Sequence, residues 1–189
     1  LAVARSKLSR RPPAGGVRLV HADIRTMDLG ERYGMALVAL GSFHHLLSGP
    51  DQRRALGRLA AHLAPGGLLA IDLVNPSPEW LAAGDGTLVH QLTAPFPTPE
   101  GPDQLTKLVA RTSSFETQLE HSLLFYDLST QDGAVTRRSF RMEMRLIFRY
   151  EAELLLEMEG FRLRDIYGDY DLEPYGRSSA RLILVAERE

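Results

Sequence analysis

The sequence contains no cysteine, which excludes disulfide bonds, thiolate nucleophiles and thiolate metal ligands together. It also has no apolar run near the roughly 20 residues that a membrane-spanning helix needs. Lysine and arginine total 22 against 24 aspartate and glutamate, and no block of basic residues is present. We therefore expect a cytoplasmic protein whose partners include neither nucleic acid nor a membrane.

The residues that are present suffice for one folded domain, or for a domain with a subdomain. The chain has 189 residues, of which 44% are hydrophobic and 24% charged. It shows no internal repeat and no low-complexity tract. Because it begins at Leu1, inside a predicted helix over residues 1–10, we expect that the natural N-terminus is missing.

Three apolar segments predict strands of a doubly wound α/β sheet. They are residues 17–22, 35–40 and 68–74. The last two are apolar throughout except for one acid, Asp72, as expected for strands that are buried on both faces of a parallel sheet. Between them, Ser48 and Asp51 resemble a capping box at the start of a helix that ends near residue 62 or 63. Strand, helix and strand with short connections predict right-handed crossovers.

The middle of the chain predicts an antiparallel β insertion. Strand-like runs extend over residues 105–112, 118–128 and 134–148, with a turn at 131–133. Long runs without helical periodicity do not cross over a parallel sheet. We therefore divide the chain into a Rossmann-like core, formed by residues 1–83 and 148–189, and an inserted antiparallel β cap, residues 84–147, that serves as a substrate subdomain.

The last segments predict a helix and two strands. The helix covers residues 150–159, ends at Gly160 and is expected to turn Leu154, Leu155 and Met158 inward. The strands are residues 161–167 and 182–186. The connection between them is too short for a crossover, so they should pair antiparallel. The predicted fold class is α/β: a Rossmann-like, doubly wound and mostly parallel sheet with an antiparallel last strand, plus the β cap.

The order and spacing of three segments carry a resemblance to a known family. They read VRLVHAD at 17–23, ALVALGSFHHL at 36–46 and LAPGGLLAID at 63–72. They resemble strands three, four and five of class I S-adenosylmethionine-dependent methyltransferases, and the cap looks like that of small-molecule members. The resemblance implies methyl transfer from S-adenosylmethionine to a nitrogen or oxygen of a small-molecule acceptor. The family's glycine-rich turn and the acidic residue ending strand two have no counterpart here. This implies that they precede Leu1 and that the chain alone binds the cofactor poorly.

Residues that follow strands are the candidates for cofactor binding, because ligands of open α/β sheets lie beyond the carboxyl ends of the strands. The resemblance implies that Asp23 accepts a hydrogen bond from the adenine amine and that Ile24 packs on the adenine ring. It also implies that the Leu40 carbonyl receives the cofactor's ammonium group beside Gly41 and Ser42. The alternatives are a turn-capping aspartate at 23 and a glycine needed for turn geometry alone at 41.

His44 and His45 are the candidate catalytic residues. An imidazole can take a proton from the acceptor or orient it. Adjacent residues cannot both face one pocket in a regular strand, so we expect at most one to act; a packed or surface histidine is the alternative. Two neighbouring histidines without a suitably spaced third ligand argue against a metal site.

Candidates for acceptor binding are mainly aromatic, although aromatic residues in strands are more often core residues. They are Phe43, Trp80, Tyr126, Arg145, Tyr167 and Tyr170. Asp72, inside an apolar strand, is expected to be paired rather than catalytic. Two other functions stay open: an NAD(P)-dependent Rossmann oxidoreductase, and a non-catalytic methyltransferase-like interaction module. We also expect a homodimer that forms through the β cap.

Overall fold

The structure, a computed structural model, describes residues 1–10, 15–82, 86–98 and 101–189. In chain order its elements are α1 (Ala2–Arg10), β1 (Tyr33–Val38), a 3-10 helix (Ser42–His45), α2 (Gly49–Ala61), β2 (Leu63–Val74), α3 (Pro78–Ala82), β3 (Leu88–Thr98), β4 (Gly101–Ser114), β5 (Leu119–Ser129), β6 (Val135–Arg145), α4 (Arg149–Met158), β7 (Phe161–Tyr167) and β8 (Arg181–Arg188). Among the described helices, none is long and apolar enough to cross a membrane.

Strands β1, β2, β8 and β7 form the core sheet, in that order. β1 and β2 run parallel and are connected through α2, while β8 pairs antiparallel with both β2 and β7. β8 is therefore the reversed strand of an otherwise parallel sheet. This confirms the predicted fold class and the antiparallel pairing of the last two strands.

Helix α2 begins where the sequence predicted. Ser48 is its N-cap residue, and the Ser48 hydroxyl accepts a hydrogen bond from the Asp51 main-chain N–H at 3.3 Å. This satisfies one of the main-chain donors that a helix start leaves unpaired. The buried face of α2 packs with residues of β2 and β8 in one hydrophobic core: Ala55, Leu56, Leu59, Leu69, Ile71, Leu73, Leu182 and Leu184. Full burial stabilises the fold by about 1.5–3 kcal/mol for each leucine or isoleucine.

Strand β1 is buried on one face only, which corrects the prediction of two buried faces. Val38 is buried and Ala36 packs against the core, whereas Met35 and Leu37 are 56% and 65% exposed. Among the described residues, β1 pairs with β2 alone, so it is an edge strand with one uncovered face. It ends at Val38 rather than at residue 40, because Leu40 adopts a left-handed conformation.

The strand predicted over residues 17–22 is not formed, and the segment is irregular. A strand needs a neighbour to complete its main-chain hydrogen bonds, and no described strand pairs with this segment. Side-chain contacts hold it instead: the Arg18 guanidinium donates to Glu31 at 3.1 Å and to the Leu29 carbonyl at 3.1 Å.

Helix α4 ends as predicted at Gly160, whose φ of 78° suits glycine. Its inward face differs from the prediction, because Ala152 and Leu156 are buried while Leu154 and Met158 are exposed. Leu155 packs against the core. The helix starts one residue earlier than predicted. The difference in the buried face arises from the rotation of the helix about its axis, which hydrophobicity alone did not reveal.

Strands β3 to β6 form a second, antiparallel sheet in sequential order, which we call the cap sheet. β3 was not predicted as a strand; it is an edge strand, where Pro95 and Pro97 are tolerated. At the end of β6 the chain re-enters the core through Leu146 and Ile147, which are buried. The predicted boundary between residues 83 and 84 lies outside the described residues, and the division into core and cap stays a prediction.

Candidate functional site

The carboxyl ends of β1 and β2 lie side by side because the two strands are parallel. The chain leaves β1 through two consecutive left-handed residues, Leu40 with φ 58° and Gly41 with φ 68°. The Gly41 N–H donates to the main-chain carbonyl of Asp72 at 3.2 Å, which ties this turn to β2. Gly41 adopts its conformation freely, whereas Leu40 is strained there.

A buried carboxylate, Asp72, joins three chain segments at this edge. Its Oδ2 accepts hydrogen bonds from the Leu40 main-chain N–H at 2.8 Å and from the Tyr170 hydroxyl at 2.7 Å. Its Oδ1 accepts from the Arg181 guanidinium at 2.7 Å. The cation and the hydrogen bonds compensate the burial of this charge, as they must. The expectation that Asp72 is paired is confirmed.

Tyr170 stands beside this carboxylate as a hydrogen-bond donor. The hydrogen bond to Asp72 raises the pKa of Tyr170 above its ordinary value, so its hydroxyl keeps the proton it donates. The Arg181 guanidinium lies 4.4 Å from the centre of the Tyr170 ring. One cluster at the carboxyl edge of the core sheet thus contains Tyr170, Arg181 and Asp72.

The Leu40 carbonyl is free to accept a hydrogen bond from a ligand. No described residue donates a hydrogen bond to it, and Leu40 is 81% exposed. A free carbonyl at the carboxyl edge of an open α/β sheet is suited to receive a primary ammonium group. The chemistry of this edge therefore fits the ammonium end of S-adenosylmethionine.

His44 is buried, and both of its ring nitrogens contact main-chain groups. Nε2 accepts a hydrogen bond from the Val74 N–H at 2.9 Å, so the ring proton is on Nδ1, which donates to the Arg145 carbonyl at 2.6 Å. Burial lowers the pKa of His44 and keeps the ring neutral. No lone pair is left for an acceptor proton, so this geometry does not fit the catalytic base expected at His44. Instead, the His44 side chain connects the 3-10 helix to the end of β2 at Val74 and to the end of β6 at Arg145.

His45 is exposed, in contrast to its neighbour. Its Nδ1 lies 3.3 Å from the Glu143 main-chain carbonyl, and no described residue forms a hydrogen bond with its Nε2. The 3-10 helix turns the two adjacent side chains to different environments. His45 is therefore the accessible one of the pair.

Asp23 is an exposed, ionised carboxylate that binds Arg25 through both oxygens, at 2.6 Å between Oδ2 and Nη2. The Arg25 guanidinium lowers the pKa of Asp23 to about 2. Oδ1 also accepts from the Arg25 main-chain N–H, which is the turn-capping contact named as the alternative. Arg25 reaches Asp51 in the first turn of α2 at 3.3 Å, and Ile24 packs against the core. The adenine contacts of Asp23 and Ile24 stay predictions.

The predicted acceptor-binding residues occupy separate places. Phe43 is a buried core residue, so it does not line an open pocket. Tyr126 lies on β5 of the cap sheet, and its ring packs edge-on against Phe140. Tyr167 ends β7 and pairs with Ile183. Of the six candidates, Tyr170 is the one that the described contacts connect to Asp72 and Leu40.

Trp80 and Arg145 belong to contacts between the cap sheet and the helices beside it. The Trp80 indole donates to the buried Glu120 at 3.0 Å, and the Arg111 guanidinium stacks 3.9 Å from the Trp80 ring centre. Arg145 lies 3.4 Å from Glu151 of α4. Within the described part of the chain, no group of three or more histidine, aspartate or glutamate residues could hold a metal ion.

Sequence reasoning did not identify Arg181, Glu120 or Arg111. Asp72, an acid in the apolar run of β2, indicates that a buried partner exists. Which residue is that partner depends on the register of β2 and β8, in which Val74 lies opposite Arg181 and Asp72 opposite Ile183. Glu120 and Arg111 have no such signal in the sequence, because both lie in amphipathic strands where polar residues are ordinary.

Comparison with protein families matches residues 1–71 to a model described as a methyltransferase domain. The cypemycin N-terminal methyltransferase of a Streptomyces species is 22% identical over 173 residues, which cover 92% of this chain and 65% of that protein. The O-methyltransferase cnsE of Penicillium expansum is 39% identical over 77 residues, or 40% of this chain and 27% of that protein. The chain thus spans less than two thirds of the length of these relatives.

Solved structures give a more extensive match. The CcbJ methyltransferase from Streptomyces caelestis has a TM-score of 0.80 at 21% identity, covering 98% of this chain and 73% of that one. The S-adenosylmethionine-bound amino pentose methyltransferase CalS10 from Micromonospora echinaspora has a TM-score of 0.73 at 21% identity, covering 100% and 70%. The sugar N-methyltransferase KedS8 from Streptoalloteichus has a TM-score of 0.70 at 22% identity, covering 98% and 67%. These similarities show a common fold.

Proposed function

We propose that this chain is a class I S-adenosylmethionine-dependent methyltransferase that transfers a methyl group to a nitrogen or oxygen of a small-molecule acceptor. Its first 71 residues match a methyltransferase domain, and it shares the fold of solved methyltransferases. The end of β1 carries this proposal. There Leu40 is an exposed residue whose carbonyl accepts no hydrogen bond from any described residue, at the edge where open α/β sheets bind their ligands. The match to a methyltransferase domain supports this function over an NAD(P)-dependent oxidoreductase.

The residues at this edge would hold the donor. S-adenosylmethionine supplies an electrophilic methyl group on a positively charged sulfur. The Leu40 carbonyl would accept from its ammonium group, beside Ser42. Gly41 is buried, and a Cβ atom there would lie against the His44 and Val74 side chains, so Gly41 contributes through the geometry of its turn. Asp23 retains lone pairs beyond those bound by Arg25 and can accept from the adenine amine. Ile24 supports the adenine ring from the core side.

We assign the proton transfer to His45. With its Nδ1 proton directed to the Glu143 carbonyl, Nε2 carries a free lone pair. That lone pair would take the proton that the acceptor atom releases when it gains the methyl group, whose bond to the sulfur breaks so that S-adenosylhomocysteine leaves. We expect this acid–base step to account for a rate factor of about 100 or more. Tyr170 and Trp80 remain the aromatic candidates for binding the acceptor.

The function is tested by binding and by transfer. Calorimetry with S-adenosylhomocysteine and NADH, and a radiolabelled methyl-transfer assay, are carried out on the 189-residue chain and on the product of the complete gene. Amino sugars are the first acceptors to try, because CalS10 and KedS8 are named for an amino pentose and a sugar nitrogen. Binding of NADH without affinity for S-adenosylhomocysteine would reverse the assignment. Binding of neither, together with capture of a partner protein, would favour the interaction module.

The role of His45 is tested with a matched control. We expect His45→Asn to lower kcat about a hundredfold with little change in KM, because the substitution removes a proton acceptor rather than a binding contact. His121 is also exposed and also contacts Glu143, through its carboxylate at 3.1 Å. His121→Asn should keep the wild-type rate. Equal rates for the two variants would remove His45 from the mechanism.

We propose a homodimer that forms through one face of the cap sheet. Phe140 lies opposite Leu124 on this face, and with Phe96, Tyr126 and Leu128 they line an apolar groove of about 830 Å³. Burying such a face is favourable in proportion to its apolar area. Sedimentation analysis should show a dimer for the wild type and a monomer for Phe140→Glu. Val135→Glu, an equally exposed position on the opposite face of β6, should leave the dimer intact.

A cytoplasmic location is the remaining part of the proposal. It rests on the lack of cysteine, which excludes disulfide bonds, as expected in a reducing compartment. Fractionation of the source cells with an antibody against this chain tests it, and recovery outside the cytoplasmic fraction would refute it.

A further inference from the structure

We propose that Asp72 is a positioning residue of the donor site. It holds the Leu40 main chain so that the Leu40 carbonyl faces the ammonium group of S-adenosylmethionine. Through Tyr170 and Arg181, the same carboxylate also fastens the loop between β7 and β8. This inference rests on the proposed function. It concerns a residue that neither the sequence nor the comparisons singled out for the site.

The place of Asp72 in the core sheet lets one carboxylate serve both neighbouring strands. β2 lies between β1 and β8, and Asp72 is near its carboxyl end. Oδ2 reaches toward the end of β1, where it accepts from the Leu40 N–H, and Oδ1 reaches Arg181 at the start of β8. Asp72 is only 2% exposed, so water does not compete for these contacts.

Leu40 needs such an anchor because its own side chain supplies none. Its φ of 58° is unfavourable for a residue with a Cβ atom. The residue is 81% exposed, so packing does little to compensate the strain. Asp72 contributes two contacts to this conformation: Oδ2 accepts from the Leu40 N–H, and the Asp72 carbonyl accepts from the next N–H, that of Gly41. The turn itself is closed by Ser42, whose N–H and hydroxyl both donate to the Ala39 carbonyl. Strain of this kind persists where the surrounding contacts enforce it, often at a functional site.

The loop after β7 is fastened to the same carboxylate through Tyr170. The Tyr170 residue is 58% exposed, yet its hydroxyl lies 2.7 Å from Asp72 Oδ2 and its ring faces the Arg181 guanidinium. The base of the loop is closed by the bridge between Tyr167 and Pro174. One carboxylate therefore contacts both the Leu40 main chain and the loop after β7.

The experiment compares Asp72→Ala and Tyr170→Phe with Asp127→Ala as the control. Asp127 also forms a two-bonded ion pair, with Arg137, but on the cap sheet. Two quantities are measured on the product of the complete gene: the amide hydrogen-exchange rate of Leu40, with Val38 of β1 as internal reference, and the affinity for S-adenosylhomocysteine by calorimetry.

We expect Asp72→Ala to accelerate exchange at Leu40 at least tenfold relative to Val38, because the amide loses its acceptor. Affinity for S-adenosylhomocysteine should fall about ten- to a hundredfold, the range for loss of a hydrogen bond to a charged group. Tyr170→Phe should weaken binding about three- to tenfold and leave the Leu40 amide protected. Asp127→Ala should change neither quantity.

Several results would overturn the inference. A Leu40 amide that stays protected in Asp72→Ala, or an affinity in Asp72→Ala equal to that of Asp127→Ala, removes Asp72 from the site. If Asp72→Ala does not fold, Tyr170→Phe is the deciding variant. Tyr170 is an exposed residue and the substitution removes only its hydroxyl, so the core stays intact. An affinity of Tyr170→Phe for S-adenosylhomocysteine equal to that of the wild type overturns the proposal. If the wild-type protein itself fails to bind S-adenosylhomocysteine, the proposed function fails, and Leu40 exchange separately decides whether Asp72 positions that main chain.

Discussion

The polar contacts at the carboxyl edge of the core sheet differ in kind from those on the cap sheet. At the edge, the side chains of Asp72 and His44 are buried and bond to main-chain groups of distant segments. On the cap sheet, Asp127 and His121 bond to side chains of the neighbouring strand, in pairs that are exposed at one or both partners. A buried side chain that completes a main-chain hydrogen bond cannot be replaced by water, whereas a surface pair can. The edge should therefore be sensitive to substitution, and the exposed pairs of the cap sheet, unlike its buried Glu120, should be tolerant.

The largest difference is expected between two histidines, one from each region. His44→Ala leaves the Val74 N–H and the Arg145 carbonyl buried without partners and opens a cavity. We expect the free energy of unfolding to fall by about 3–5 kcal/mol. His121→Ala should cost less than about 0.5 kcal/mol. Urea unfolding followed by circular dichroism measures both. A loss below about 1 kcal/mol at His44 would show that its buried hydrogen bonds stabilise the fold no more than surface pairs do.

Acidification should destabilise the protein through His44. Burial lowers the pKa of His44, so the unfolded chain binds a proton there more readily than the folded protein. Its contribution to stability is therefore complete above about pH 6.5, the unfolded value, and is lost as the pH falls from there toward the folded-state pKa. Urea unfolding between about pH 7.5 and 5.5 should show a smaller decline for His44→Gln than for the wild type. Equal declines, or protonation of the His44 ring near pH 6.5 in an NMR titration, would contradict this.

A smaller effect, of opposite sign, is expected at the strained end of β1. Leu40→Gly removes the cost of a Cβ atom at φ 58° while keeping the main-chain N–H that binds Asp72. We expect the free energy of unfolding to rise by about 1 kcal/mol. Leu37 is similarly exposed but lies in regular strand, so Leu37→Gly should lower it by about 0.5–1 kcal/mol. Thermal unfolding of both variants measures the sign, and destabilisation by Leu40→Gly would show that Leu40 is not strained.

The smallest effect belongs to the cap sheet. Asp127→Ala removes the ion pair with Arg137, whose side chain is half exposed, at a cost of about 0.2–1 kcal/mol. Added salt should reduce this cost further, because exposed charges are screened. Urea unfolding at low and high salt measures it. A loss as large as that of His44→Ala would mean that the two regions do not differ.

Much of the fold was predictable because it depends on local patterns. Ser48 marks the start of α2, Gly160 the end of α4, and the boundaries of β7 match the prediction. The failures have a common cause. Residues 17–22, the outer face of β1 and the rotation of α4 depend on which elements lie next to them, and hydrophobicity along the chain does not name the neighbour.

The candidate site was predictable in its location but not in the roles of its residues. The edge that carries Leu40, Gly41 and Tyr170 follows from the rule for open α/β sheets. The contrast between His44 and His45 does not, because identical adjacent side chains differ only in what surrounds them.

By itself the amino-acid order determined the α/β alternation, the helix ends and the turn that follows β1, since these result from interactions between residues close in the chain. Only the tertiary structure decided that Asp72 binds Leu40, Tyr170 and Arg181, residues 32, 98 and 109 positions away. The physical reason is the pairing of β2 with β8. Strand register sets which side chains share a buried edge, and register is settled by packing across the whole sheet.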